Sequence, residues 1–112
     1  MTKDLRNAVL FDFYKNILTE KQADVIDLYY NEDLSLAEIS EHLGITRQGV
    51  RDNIKRAEAA MQKAEQDLSL IAKYEASSKV FSKIRNELSN MGNKSVANKI
   101  DKLLTEVENF GV

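Results

Sequence analysis

The stretch 35-SLAEISEHLGITRQGVRDNIKR-56 decides how this chain is read. Ser35 and Glu38 stand at capping-box spacing, so hydroxyl and carboxylate can satisfy each other's orphan backbone donors at a helix start. Leu36, Ile39 and Leu43 give that helix one apolar side, and Ser40 offers a small residue for a helix crossing. Gly44 falls where a helix ends in a left-handed residue. Ile45 anchors the turn, Thr46 caps a second helix, and Val50 and Ile54 bury its inner side. These independent requirements describe a helix-turn-helix from about Leu36 to Arg56.

Burying Val50 and Ile54 turns Arg47, Gln48, Arg51, Asp52 and Lys55 outward, with Arg47, Arg51 and Lys55 one turn apart. An α-helix fits the DNA major groove, where arginine reads guanine and glutamine reads adenine. The first turn of a recognition helix does most of the base reading. Arg47, Gln48 and Arg51 are therefore assigned to base edges, and Lys55 and Arg56 to phosphates. Thr46 and Ser35, with the N–H groups at their helix starts, are candidates to hold phosphate oxygens. Asp52 opposes this reading, since it repels phosphate unless it pairs with Lys55 or accepts from a cytosine amine. The bland alternative is a solvated cationic helix face.

Outward from this motif the pattern stays helical. A first helix is predicted from Lys3 to Ile17, with Leu5, Val9, Phe13 and Ile17 on its inner face and Leu10, Tyr14 and Leu18 widening it. Thr19 and Gln22 open a second with a capping box, and Val25, Leu28 and Tyr29 form its buried stripe. Tyr29 and Tyr30 are read as packing residues with wet hydroxyls. Past the motif, Val50, Ile54, Ala57, Met61, Ala64, Leu68 and Ile71 recur at alternating steps of four and three, a heptad seam. It predicts one long helix from Arg47 to about Ala76, with Met61, Ala64, Leu68 and Ile71 pairing two chains. A fifth helix is predicted from Ser77 or Ser78, carrying Phe81, Ile84, Leu88 and Met91. After a stop at Met91-Gly92-Asn93, a sixth is capped by Ser95 and carries Val96, Ile100, Leu103, Val107 and Phe110. The expected organisation is all-α: a nucleic-acid-binding domain over residues 1–60 and a helical, oligomerising arm over residues 61–112.

Composition agrees. The 112 residues contain no proline and four glycines, and 30% are charged. Cysteine is absent and there is one histidine, His42, so disulfides, thiolate sites and histidine-rich metal sites are excluded. No cofactor or small-molecule substrate is indicated. No serine or threonine has a base beside it in a hydrolase arrangement, so no catalytic group is assigned. The longest apolar run is Ala8 to Phe11, too short for a membrane span. Without a signal-peptide pattern, a cytoplasmic location is expected. The formal net charge is -2, which does not announce a nucleic-acid binder. Yet Arg47 to Arg56 holds four basic residues and one acidic, against four and seven over residues 1–34. Local charge is what a recognition helix needs.

The residues Leu18 to Gln22, Asp33 to Ser40 and Leu43 to Val50 together resemble region 4 of bacterial sigma factors, which binds the promoter −35 element. More closely, the chain from Phe11-Asp12-Phe13-Tyr14 through Arg51-Asp52-Asn53-Ile54-Lys55-Arg56 resembles the YlxM family. Those are small helix-turn-helix proteins encoded beside signal-recognition-particle genes in Gram-positive bacteria. The resemblance implies a DNA-binding regulator, expected to act as a homodimer. Its alternative is a non-catalytic adaptor that binds the protein or RNA of the signal recognition particle. At this length the chain is not expected to be a complete sigma factor, since segments that melt promoters and clamp polymerase do not fit.

Overall fold

The computed structural model describes residues 3–109, with side chains through residue 106. Every regular element among the described residues is helical, and the chain divides into two compact units, Met1–Ser69 and Leu70–Val112. The break falls at Ser69 rather than near residue 60.

The first unit holds α1 (Leu5–Tyr14), α2 (Glu20–Ile26), α3 (Leu36–Leu43) and α4 (Arg47–Leu68). Asp4 caps α1, and a 3-10 turn over Lys15–Ile17 ends it. Thr19 and Gln22 form the expected capping box on α2. α4 packs on α1, α2 and α3, and Val25, Ile26, Ile39, Val50 and Ile54 have no exposed surface. Burying an aliphatic side chain of this size contributes about 1.5–3 kcal/mol, so these five hold the motif in place.

α1 buries a different face from the one its four-residue ladder predicts. Leu10 and Tyr14 are 2% exposed and Phe11 is buried, whereas Leu5 is 76% exposed and Val9, Phe13 and Ile17 keep a third or more of their surface. Nine of the fourteen positions from Leu5 to Leu18 are apolar, and they fall on several sides of the helix. The periodicity therefore names several faces, and packing selects among them. In α2 the stripe likewise shifts to Val25, Ile26 and Tyr29, with Leu28 half-buried.

Asn7 is a buried polar residue on this face and is satisfied. Its amide nitrogen donates to the Tyr30 hydroxyl at 3.2 Å, and its carbonyl accepts from Gln62 at 3.5 Å. The Tyr30 hydroxyl donates to Glu58 at 2.6 Å, and Tyr14 donates to Glu65 at 2.5 Å. Burial, with the Glu58 carboxylate beside it, pushes the Tyr30 hydroxyl well above its ordinary range. Glu58, Gln62 and Glu65 share one side of α4, so they form a polar rail that fixes its register on α1 and α2. The Tyr30 hydroxyl, on a half-buried side chain, is thus also a structural partner.

α2 runs on into a wider π turn over Asp27–Asn31. The Lys3 ammonium closes this end. It donates to the Tyr29 carbonyl at 2.9 Å, the Leu34 carbonyl at 3.1 Å and the Asp33 carboxylate at 2.8 Å, and lies 4.3 Å from the centre of the Tyr29 ring. Asp33 takes a positive φ of 55°, and the Lys3 ammonium holds its carboxyl below the ordinary range.

α4 ends at Leu68 because Ser69 adopts a left-handed conformation, φ 54°, with its N–H on the Glu65 carbonyl. The predicted helix to Ala76 is therefore two helices, one ending at Leu68 and the next starting at Leu70. Serine gives no sequence warning of this, as its left-handed form is uncommon outside glycine and asparagine.

The second unit is a hairpin of α5 (Leu70–Asn90) and α6 (Lys94–Asn109), with Gly92 at φ 80° in the turn. α5 passes through Ser77 and Ser78 without a break. Asn93, not Ser95, accepts the N–H of Val96 at 3.4 Å and caps α6. Arg85 on α5 pairs with Asp101 on α6 at 3.1 Å. Phe81, Ile84, Ile100, Leu103 and Leu104 line an apolar groove of about 130 Å³ along the hairpin. Phe110 and the Val107 side chain lie outside the described residues. Among the described residues no helix is long and apolar enough to cross a membrane.

Candidate nucleic-acid interface

The turn between α3 and α4 is built as its sequence requires. Gly44 takes φ 67°, ψ 34°, and its N–H reaches the Ser40 carbonyl at 3.0 Å. A side chain there would be strained in the left-handed region even though open space surrounds it. Ser40 does more than fill a crossing: its hydroxyl donates to the Ile45 carbonyl at 2.5 Å and ties the end of α3 to the turn. Thr46 then caps α4, its hydroxyl accepting the Gly49 N–H at 2.9 Å. This corner sets the direction in which α4 leaves the motif.

Val50 and Ile54 face inward with no exposed surface, as do Ala57 and Met61. Thr46, Arg47, Gln48, Arg51, Lys55 and Arg56 are all exposed on the same helix start. At about 100° per residue, Gln48 and Asp52 lie about 160° and 200° around the helix from Val50. They occupy the face opposite the core. Lys55 and Arg56 border that face on its two sides, while Arg47 and Arg51 rise from one flank. Among the described residues none of these four cations has an ion-pair partner.

Asp52 does not pair with Lys55. Its carboxylate accepts from the Gln48 amide nitrogen at 2.9 Å, one turn back. Sequence reasoning weighed the two residues separately and missed the link, although their spacing of four was visible. Asn53 reaches the Gly49 carbonyl at 2.8 Å from the side nearer the core.

Ser35 is already engaged within the protein. Its hydroxyl accepts the Glu38 N–H at 3.1 Å, and its own N–H donates to the Glu38 carboxylate at 3.1 Å. Those bonds hold the Glu38 carboxyl below its ordinary value of 4.5. The Glu38 carboxylate beside the Ser35 cap places a negative charge where the sequence reading put a phosphate, which opposes that assignment. The start of α4 differs. Its first turn contains no acidic residue, and glycine stands where α3 has Glu38.

The residues assigned to oligomerisation divide. Met61 and Ile71 are buried, and a buried side chain has no surface to give a second chain. Ala64 is half-buried and Leu68 is 49% exposed.

Comparison with known proteins places these features in a family. A family model described as "UPF0122: Putative helix-turn-helix protein, YlxM / p13 like" matches residues 1–106. The chain is 47% identical over 85 residues to a UPF0122 protein of Halalkalibacterium halodurans, covering 76% of this chain and 78% of that one. It is 41% identical over 108 residues to one of Bacillus mycoides, covering 92% of this chain and 98% of that one. A UPF0122 protein of Acetivibrio thermocellus is 50% identical over 74 residues, 66% of this chain and 63% of that one.

Proposed function

The chain belongs to the UPF0122 family of YlxM / p13-like helix-turn-helix proteins, and from that premise we propose that it is a non-catalytic regulator that binds duplex DNA through the start of α4. The observation that carries this reading is the exposed, unpaired cationic set Arg47, Arg51, Lys55 and Arg56 around a helix start that no acidic residue plugs. In the major groove Arg47, Gln48 and Arg51 meet base edges. Lys55 and Arg56 meet phosphates, and the N–H groups of Arg47 and Gln48 beside the Thr46 cap give a phosphate oxygen directed donors.

Arg47→Ala with Arg51→Ala tests this in a salt-dependent titration against the wild type. The double variant is expected to lose on the order of a hundredfold in affinity for a selected duplex, since each good arginine–base contact is worth about 1–3 kcal/mol. The slope of log K against log salt should change much less than it does on removing Lys55 and Arg56, the residues assigned to phosphates. Unchanged affinity removes the base-reading assignment.

A signal-recognition-particle component is the competing partner. Its RNA is the poorer fit, because the deep, narrow major groove of an A-form duplex does not admit a helix. Capture of purified particle protein or RNA, with no binding to random duplex DNA, would overturn the DNA reading. In this proposal the protein works as a homodimer, whose two-fold symmetry delivers two recognition helices to successive major grooves. Ala64 and Leu68 are what remains of the seam for that contact. Sedimentation that finds only monomer at micromolar concentration refutes the dimer.

A further inference from the structure

The face of α4 opposite the core carries a hydrogen-bonded pair, Gln48 and Asp52, where a groove-reading helix would place its central contacts. The pair has a chemical consequence. A carboxylate can only accept, whereas a glutamine amide presents a donor on one side and an acceptor on the other. The 2.9 Å bond to Asp52 therefore fixes which way the amide is turned: Nε2 toward Asp52, Oε1 away from it. One N–H of Nε2 is taken by Asp52. The second N–H and Oε1 are left as an adjacent donor and acceptor. Adenine offers the complementary set in the major groove, N7 as acceptor and the N6 amine as donor. Holding the amide in one orientation also removes the entropy of immobilising a long side chain on binding.

We propose that Asp52 is a positioning residue for sequence recognition, which locks the Gln48 amide so that its free edge reads adenine at one base pair. The proposal rests on the DNA reading above. It also accounts for an acidic side chain amid Arg51, Lys55 and Arg56, where phosphate attraction alone would select against one. Asp52 lowers affinity for every duplex through its charge and raises the preference for one.

The test is selection of bound sequences from random duplex DNA with full-length wild type, Asp52→Asn, Asp52→Glu, Gln48→Ala and the double variant Gln48→Ala/Asp52→Asn. Wild type is expected to prefer A·T at one pair by on the order of tenfold, the lower part of the range for a bidentate contact. Asn can donate as well as accept, so Asp52→Asn frees the amide to turn. It should flatten the preference at that pair while tightening binding to non-specific duplex. Asp52→Glu, which keeps an acceptor-only group, should restore most of the preference. Gln48→Ala should abolish it, and adding Asp52→Asn to Gln48→Ala should change nothing further at that position. A uniform gain in affinity with the base preference intact would show that Asp52 acts through charge alone and would overturn the proposal, leaving the DNA reading standing. No duplex binding by wild type would sink both. Both positions lie on the side of α4 away from its core, Gln48 exposed and Asp52 half-buried, so the far-ultraviolet circular dichroism of each variant should match wild type.

Discussion

The starts of α3 and α4 use the same cap chemistry and come out with opposite electrostatics. In both, a β-hydroxyl accepts the N–H three residues on: Ser35 from Glu38 at 3.1 Å, Thr46 from Gly49 at 2.9 Å. In α3 the third residue returns a carboxylate to the cap, which satisfies another donor and sets a negative charge on the positive end of the helix dipole. In α4 the third residue is glycine, so no side chain returns to the Thr46 N–H and no negative charge sits at the helix start. One start is finished for stability; the other is left open to an anion. A single residue, Glu38 against Gly49, makes that difference within one motif.

The largest expected effect comes from erasing it. Gly49→Glu should complete a second capping box on the Thr46 N–H and set a negative charge at the start of α4. Duplex affinity is expected to fall by on the order of tenfold or more, as a phosphate contact is lost and a like charge enters the groove. Folding should survive. The added Cβ meets the Thr46 hydroxyl at 3.1 Å, a crowding that a few tenths of an ångström relieves. Replacing a helical glycine offsets this by about 0.5–1 kcal/mol. Undiminished binding of a stable Gly49→Glu protein would break the distinction between the two starts.

Removing the caps sharpens the same contrast. Ser35→Ala and Thr46→Ala should each lower stability in urea by about 1 kcal/mol, the usual cost of losing a cap hydroxyl. Only Thr46→Ala should also weaken duplex binding, by a few-fold. Equal loss of binding from both would return Ser35 to the interface.

The smallest effect is in acid. Because the Ser35 cap holds the Glu38 carboxyl below its ordinary range in the folded protein, its ionised form contributes stability at neutral pH. That contribution is present above the unfolded value and is lost as pH falls through the lower, folded one. Urea midpoints of wild type should therefore drop below about pH 4.5 more steeply than those of Glu38→Gln. The start of α4 holds no carboxylate and should add nothing to that slope. Identical acid limbs for the two proteins would show that the capping box of α3 carries no linked proton.

Much of the motif was legible because its signals are local. Gly44, Thr46 and the Ser35–Glu38 box each act within four residues, and each is found as the spacing predicts. What the sequence hid depends on distant partners or on competing faces. α1 is apolar on several sides, so only its packing on α4 reveals that Leu10, Phe11 and Tyr14 go inside while Leu5 stays out. The links from Tyr30 to Glu58 and Tyr14 to Glu65 join residues 28 and 51 positions apart, beyond any periodicity. Ser69 ends a helix without glycine or proline, and Ser77 and Ser78 fail to start one. A serine's cap is read from sequence only when neighbouring residues leave it no alternative. At the candidate interface the cations were evident, but the bond between Gln48 and Asp52 is a pairing rather than a residue, and only geometry separates a free group from an occupied one.

The most direct test follows the backbone amides of the two helix starts by nuclear magnetic resonance while duplex DNA is added to the full-length protein. The amides of Arg47, Gln48 and Gly49, and the Gln48 side-chain amide, are predicted to shift most, with those of Ser35 and Glu38 nearly unmoved. Shifts centred on Ser35 to Glu38, or perturbation that leaves the first turn of α4 untouched, would contradict the claim that α4 opens this protein to nucleic acid.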